Sequence, residues 1–305
     1  MESGSVIGKN IDFNPKRRTT VIVHGLGSNS HEFYLKTLVD QLLLWRDMNV
    51  IVLDWQSGSS LNLQNLFFYP QTAVNSEYAA IVLKNLFVKL RQVSGVPPRS
   101  WRRVHFIGHS LGAHVVGQAA EMLKRENFII DRVTGLDPAE PCFRDVNSPL
   151  RMRSSNARLV DVIHTDGART PNERFGLLDQ LGHVDFYVNG GSIQPGCQEL
   201  FQPTRFLNII KMFEHVIENG SCHHNRAFNL FLETVIQDRE KKCRFWAHPW
   251  SLGTNQLQTS RILNVRCNVT NCVEMGINAE LWIYRQKVSY YVETTGASPY
   301  CNVRN

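Results

Sequence analysis

Residues 103–117 constrain this chain more than any other stretch. An apolar run of Val104, Phe106 and Ile107 meets Gly108-His109-Ser110-Leu111-Gly112, and a helical pattern follows at Leu111, Val115, Val116, Ala119, Met122 and Leu123. A strand that turns sharply into a helix through Gly-x-Ser-x-Gly is the sequence form of a nucleophile elbow. The turn is tight, so the flanking positions require glycine, and the serine between them is predicted to occupy a strained backbone conformation. Held there, its hydroxyl points out of the fold beside the positive end of the following helix. The motif alone is weak, because small residues often cluster at turns; the strand before it and the helix after it are what make it specific.

The rest of the chain supplies the sheet such an elbow needs. Thr20-Val21-Ile22-Val23 reads as a strand leading into the glycine-rich loop His24-Gly25-Leu26-Gly27, with a helix from about Glu32 to Arg46. Val50 to Trp55 is β-branched and unbroken, as strands buried on both faces tend to be. A helix over about 72–92 precedes the elbow, and strands at 131–137 and 158–164 follow it. Residues 165–225 hold loops and an amphipathic stretch, 226–238 read as helix, and short strands are expected at 280–285 and 289–293. This alternation predicts an α/β fold with a mostly parallel, doubly wound sheet. At 305 residues, with 43% hydrophobic and 20% charged residues, the chain is long enough for one such domain and is not a disordered one.

Charge and cysteine usage narrow the setting. A net charge of +6 with a pI near 9.0 favours anionic surfaces, including anionic lipid or glycan. No Lys/Arg-rich run with interleaved aromatics supports nucleic-acid binding. No apolar stretch approaches the roughly 18 residues that span a bilayer. Six of the seven cysteines fall in the second half (Cys197, Cys222, Cys243, Cys267, Cys272, Cys301) without Cys-x-x-Cys spacing, which favours disulfides and an oxidising compartment over zinc. Asn219-Gly220-Ser221 and Asn268-Val269-Thr270 are glycosylation sequons. Yet Met1 to Asn10 lacks the basic and apolar regions of a signal peptide.

A serine hydroxyl needs a histidine to take its proton and an acid to orient that histidine, in the chain order Ser, acid, His for this fold class. Asp137 closes the strand after the elbow, with Pro138 stopping it, and so falls at the same carboxyl edge of the sheet as Ser110. An Asp-Pro turn without chemistry is the plainer reading, and Asp161 and Asp166 are rival acids. Among the histidines, His24 and His109 flank the elbow, His164 and His183 flank a strand and a turn, and His223 and His224 follow Cys222 just before a helix. A disulfide there would pin a loop-borne base, which favours that pair without choosing between its members. Backbone N–H groups of Leu111, next to the nucleophile, and Leu26, in the early glycine-rich loop, are the candidate oxyanion donors. For Leu26 a simple tight β-α turn is the alternative.

Longer blocks carry a resemblance. His24-Gly25-Leu26-Gly27, Leu53-Asp54-Trp55, Gly108 to His114, Thr134-Gly135-Leu136-Asp137-Pro138-Ala139-Glu140-Pro141, Val162-Ile163-His164-Thr165-Asp166-Gly167, Gly182 to Phe186 and Asn189-Gly190-Gly191 resemble the pancreatic lipase family, from residue 19 to about 295. The resemblance implies a secreted α/β-hydrolase, one lipase domain over 1–305, whose triad is Ser110, Asp137 and His224. His224 is chosen because Cys222-His223-His224-Asn225-Arg226 matches the family's Cys-x-His-x-Arg, with Arg226 structural. It further implies a Cys197–Cys222 disulfide bounding a lid at 198–221, where Phe206, Ile209, Ile210, Phe213, Val216 and Ile217 share one helical face. Such a helix covers an apolar cleft in water and turns its apolar face to a lipid aggregate or membrane surface. Cys267 with Cys272 and Cys243 with Cys301 complete the expected pairs, leaving Cys142 as a buried free thiol. The expected reaction is hydrolysis of a lipid carboxylic ester, triacylglycerol first. Phospholipase A1 activity comes second, because that branch shortens the lid and the loop before Gly182, both full length here. A lipid-binding or storage protein without catalysis is the third reading.

Three departures from the family stand out. Its calcium site aligns with Ser148, Arg151, Arg153 and Asn156, none of them a carboxylate, so no metal and no cofactor is expected. The family normally has strands before residue 19 and a signal peptide before those, so a truncated isoform or an incomplete gene model is expected here. The family's C-terminal lipid-binding β-sandwich is not expected either.

Overall fold

The computed structural model describes residues 12–60, 69–144, 150–171, 173–197, 222–282 and 289–301. The expected lid residues Phe206, Ile209, Ile210, Phe213, Val216 and Ile217, together with Ser148 and the Asn219 sequon, lie outside them. Strands β1 (Arg18–Val23), β2 (Met48–Leu53), β3 (Val104–His109), β4 (Arg132–Leu136), β5 (Leu159–His164), β6 (Val184–Val188), β7 (Trp246–Pro249), β8 (Val273–Glu274) and β9 (Ser289–Val292) form one sheet. Its order is β2-β1-β3-β4-β5-β6-β9-β7-β8. Pairing is parallel from β2 through β9, and antiparallel for β9 with β7 and for β7 with β8.

Strand alternation sorts the core into two layers. Val21, Val23, Val104, Phe106, Val133, Val160 and Val162 face one side, where α3 (Tyr69–Ser94) and α4 (Leu111–Arg125) pack on them through Leu83, Phe87, Val115 and Leu123. Ile22, Ile107, Leu136, Ile163, Phe186 and Val188 face the other, under α1 (Phe33–Trp45) and α5 (Cys222–Glu240). A one-turn helix, α2 (Gln56–Ser59), follows β2, and α6 (Gln256–Leu263) lies beside β7 with none of its residues buried. Helices on both faces of a mainly parallel sheet are the α/β-hydrolase architecture expected from the sequence. No helix among the described residues is long and apolar enough to cross a membrane.

Several local expectations change. β6 and β7 were not legible: one is a five-residue and the other a four-residue segment, each too short to show a period among loop residues. Of the strand expected at 280–285, residues 280–282 belong instead to a 3-10 helix, Ile277–Trp282, and 283–285 lie outside the described residues. That helix presents the Gly276 and Ile277 carbonyls to Arg132, whose guanidinium makes a bidentate pair with Asp161 at 2.8 Å to each oxygen. Helix α5 already includes Cys222 among the described residues, four residues earlier than expected, so His224 stands in a helix and not on a loop. The disulfides join Cys197–Cys222, Cys243–Cys301 and Cys267–Cys272. Cys142 is free, but its residue is exposed and not buried. It follows the tight turn at Pro141 with φ +66°, which leaves it on the surface while neighbouring Phe143 fills the interior against His114.

The Arg132–Asp161 pair is almost wholly buried, with side-chain exposures of 4% and 0%. Thr134 Oγ1 also donates to Asp161. Removing one partner leaves an uncompensated charge in the interior. Arg132→Ala is therefore expected to lose about 3–5 kcal/mol of unfolding free energy, measured by urea denaturation.

Candidate active site

The elbow is built by close packing. A Cβ on Gly108 would lie 2.2 Å from the Gly112 carbonyl oxygen, and one on Gly112 would lie 2.3 Å from that of Val23. Neither glycine has a positive φ; each is required because α4 starts against the ends of β1 and β3. Ser110 itself takes φ 57°, ψ −122°, an unfavourable conformation for a residue with a side chain. Its N–H donates to the Leu136 carbonyl at 3.0 Å, and it is 8% exposed.

Parallel register then sets the acid beside it. His109 of β3 pairs with Leu136 of β4, so Ser110 and Asp137 are the next residues on adjacent strands. The Asp137 side chain is fully buried. Its Oδ1 accepts the N–H groups of Thr165 (2.8 Å) and Asp166 (3.0 Å), and its Oδ2 meets His224 Nδ1 at 2.6 Å. Those bonds fix the tautomer in which Nδ1 carries the proton and Nε2 is the acceptor nitrogen. Burial opposes protonation of His224, but the hydrogen bond and charge of Asp137, with the charge of Asp166, outweigh it and raise the imidazole above its ordinary 6.5. His109 lies over the same ring, at 4.8 Å between centroids, and its Nε2 reaches the His224 carbonyl at 3.3 Å. Burial, together with the neighbouring His224, pushes His109 down to about 3, so it stays neutral.

The other candidates are distributed elsewhere. His223 Nδ1 accepts the Gln194 N–H, which separates it from its neighbour His224. His24 Nε2 accepts the Trp55 N–H, and His183 Nδ1 accepts that of Val160. His164 pairs with Asp185 at 2.8 Å and stacks on Tyr187, while Asp161 belongs to Arg132 at the opposite end of the sheet. Asp166 pairs with Arg174 at 2.8 Å, yet burial and then the Asp137 charge push its carboxyl up to about 6. Arg226 packs over the Tyr300 ring and reaches Cys197 Sγ at 3.3 Å, buttressing the Cys197–Cys222 disulfide.

Leu111 is the first residue of α4, so its N–H has no acceptor within the helix. The loop carrying Leu26 touches the nucleophile: a Cβ on Gly25 would sit 2.8 Å from Ser110 Cβ. Asp54 braces that loop by accepting the Ser30 N–H and hydroxyl, and it also accepts the Gln56 N–H. Against burial, which works to raise it, these hydrogen bonds hold Asp54 at about 2.

One participant was missed from the sequence. The segment at 174–177 crosses the carboxyl edge, with the Gly176 N–H donating to Asp166 O and the Leu177 N–H to Pro138 O. A Cβ on Gly176 would stand 2.4–2.6 Å from all three carboxyl atoms of Asp137. Nothing local marks this glycine, because the close approach exists only once three distant loops meet. Phe175 beside it packs on the His224 ring at 5.7 Å.

Among the described residues, two side-chain clusters have enough ligand atoms for a metal. In Asp137, Asp166 and His224, the carboxylates already accept backbone, guanidinium and imidazole hydrogens. In His248, Cys267 and Cys272, both sulfurs are in a disulfide and offer no thiolate. At the positions aligned with the family's calcium site, Arg151 pairs with Asp179, Arg153 lies 3.8 Å from Glu121, and Asn156 Oδ1 accepts the Arg153 N–H. Guanidinium groups there occupy the neighbouring carboxylates.

The family model described as Lipase matches residues 3–300. Pancreatic triacylglycerol lipase of Homo sapiens is 35% identical over 236 residues, 77% of this chain and 48% of that protein. The Sus scrofa protein of the same name is 34% identical, covering 74% and 48%. Pancreatic lipase-related protein 2 of Myocastor coypus is 34% identical, covering 74% and 45%. The chain thus spans about half the length of the curated relatives it matches.

Gly176→Ala is expected to displace the Asp137 carboxylate, lowering kcat by about 10²-fold and stability by about 1–3 kcal/mol, measured by ester hydrolysis and thermal unfolding. Because His224 must be neutral to accept a proton, kcat/KM is expected to fall on the acid side with a midpoint above 6.5. Asp166→Asn removes a charge that raises the imidazole, and is expected to move that midpoint to lower pH in the pH–rate profile.

Proposed function

The chain belongs to the lipase family, and from that membership we propose that it is a lipid carboxylic ester hydrolase acting on triacylglycerol at a lipid–water interface. The observation that carries this reading is the 2.6 Å bond between His224 Nδ1 and buried Asp137, one strand over from strained Ser110. In this mechanism Ser110 Oγ attacks the ester carbonyl carbon while His224 Nε2 takes the hydroxyl proton. Asp137 stabilises the resulting imidazolium through Nδ1, and the backbone N–H groups of Leu26 and Leu111 receive the oxyanion. Collapse of the tetrahedral intermediate passes the proton to the leaving alcohol and leaves an acyl-serine. Water, activated by the same histidine, then releases the fatty acid. No metal or cofactor enters these steps.

The substrate class is supported by relatives named triacylglycerol lipases and by the full-length segment 198–221 between Cys197 and Cys222. We assign that segment as the lid that meets lipid aggregates, with Phe206, Ile209, Ile210, Phe213, Val216 and Ile217 as its apolar face. Three disulfides agree with an extracellular setting, and the positive net charge with anionic surfaces there.

The test is hydrolysis of emulsified triacylglycerol and of phosphatidylcholine by the full chain, with Ser110→Ala as control. Triacylglycerol is expected to be the better substrate, and Ser110→Ala to lose at least about 10⁴-fold in kcat/KM. A preference for phosphatidylcholine would move the assignment to phospholipase A1. Activity on neither lipid would leave a lipid-binding protein, and activity surviving the substitution would overturn Ser110 as the nucleophile.

A further inference from the structure

We infer that Asn268 is a modification site and carries an N-linked oligosaccharide. The sequence alone offers Asn268-Val269-Thr270 as one chance match among others; the geometry of the loop gives it weight. The Cys267–Cys272 disulfide closes a short loop, with both cysteines buried and Asn268, Val269 and Thr270 exposed above them. Asn268 N donates to Asn271 Oδ1 at 2.7 Å, and Asn268 O accepts the Cys272 N–H at 3.1 Å, so the loop is fixed.

The Asn268 carboxamide is oriented by the same loop. Its Oδ1 accepts the N–H groups of Thr270 (2.7 Å) and Asn271 (3.3 Å) and the Thr270 hydroxyl. Its Nδ2 has no acceptor among the described residues and stands on an exposed residue. The atom that would bear the sugar is therefore left to solvent, while the hydroxyl two residues on polarises the carbonyl conjugated to it. In the transfer, Nδ2 bonds to the anomeric carbon of an oligosaccharide carried on a polyisoprenyl pyrophosphate. Nδ2 gives up one proton, and the polyisoprenyl pyrophosphate departs with the electron pair of the broken C–O bond.

The surroundings also suit a hydrated polymer. Val265, two residues before this loop, and Val269 within it stand 54% and 56% exposed. The loop also leads directly into β8, the last strand in the described sheet order. An oligosaccharide at Asn268 screens these apolar side chains and hinders another strand from pairing along β8.

The proposal rests on the secretory setting, so the test supplies it. The full chain is sent through a eukaryotic secretory pathway behind a cleavable signal peptide, and the secreted protein is digested without reduction. Peptides are read by mass before and after enzymatic release of N-glycans, which resolves Asn268 from Asn219. The expected result is a glycan on Asn268 in peptides that keep the Cys267–Cys272 bond. It should be lost in Asn268→Gln and in Thr270→Ala and retained, at equal or lower occupancy, in Thr270→Ser. If Asn268→Gln is not secreted, the Thr270→Ala and Thr270→Ser pair decides. Unmodified Asn268 in the secreted wild type overturns the proposal. So does a glycan found only on molecules in which Cys267 and Cys272 are not joined. Ester hydrolysis is not read, so loss of the catalytic reading would leave this result unaffected.

Discussion

A carboxylate with no exposed surface is tolerable only when its oxygens are hydrogen-bonded, and the carboxyl edge of this sheet is arranged around that requirement at Asp137. The Thr165 and Asp166 N–H groups arrive from the turn after β5, and the His224 ring arrives from α5. The backbone at Gly176 closes over the carboxyl group from a third direction. Three segments are thus gathered around one side chain. The bonds that make its burial tolerable also hold the imidazole beside the elbow.

Backbone packing does for Ser110 what hydrogen bonding does for Asp137. Gly108 and Gly112 let α4 start within contact of the ends of β1 and β3. The tight passage between strand and helix leaves Ser110 at positive φ, a strain held by the buried helix that follows it. Gly25 admits the loop bearing Leu26 against the serine from the other side. Each functional atom is placed by rigid elements, and parallel register makes the serine and the acid neighbours without any direct bond between them.

Histidine–carboxylate pairs are not diagnostic in this protein. His164 with Asp185 has good hydrogen-bond geometry and complete burial, yet its imidazole is used up by Leu177 O on one nitrogen and Asp185 on the other. His24 near Asp54 is likewise engaged on both nitrogens, by Gly25 O and the Trp55 N–H. What separates His224 is its position at the edge shared with Ser110, with the neutral His109 ring tilted against it and Phe175 packed on it. A neutral partner lets the imidazolium form without a second positive charge competing for the same acid.

The sequence by itself determined the layered parallel fold, because strand and helix periods alternate plainly from residue 18 to 164. It also marked Ser110 and Asp137, because strand-to-helix turns and strand ends are local features. Short β6 and β7 escaped it, since five or four residues beside loops carry no readable period. From residues alone His223 and His224 were equivalent, and only a family pattern separated them. The tertiary structure physically separates them: both lie in helix α5, whose successive positions turn one ring to Gln194 and its neighbour to Asp137. Gly176 shows the same division most clearly. Its lack of a side chain matters only against a carboxylate 39 positions earlier in the sequence, a contact made by loop closure and written in no local pattern.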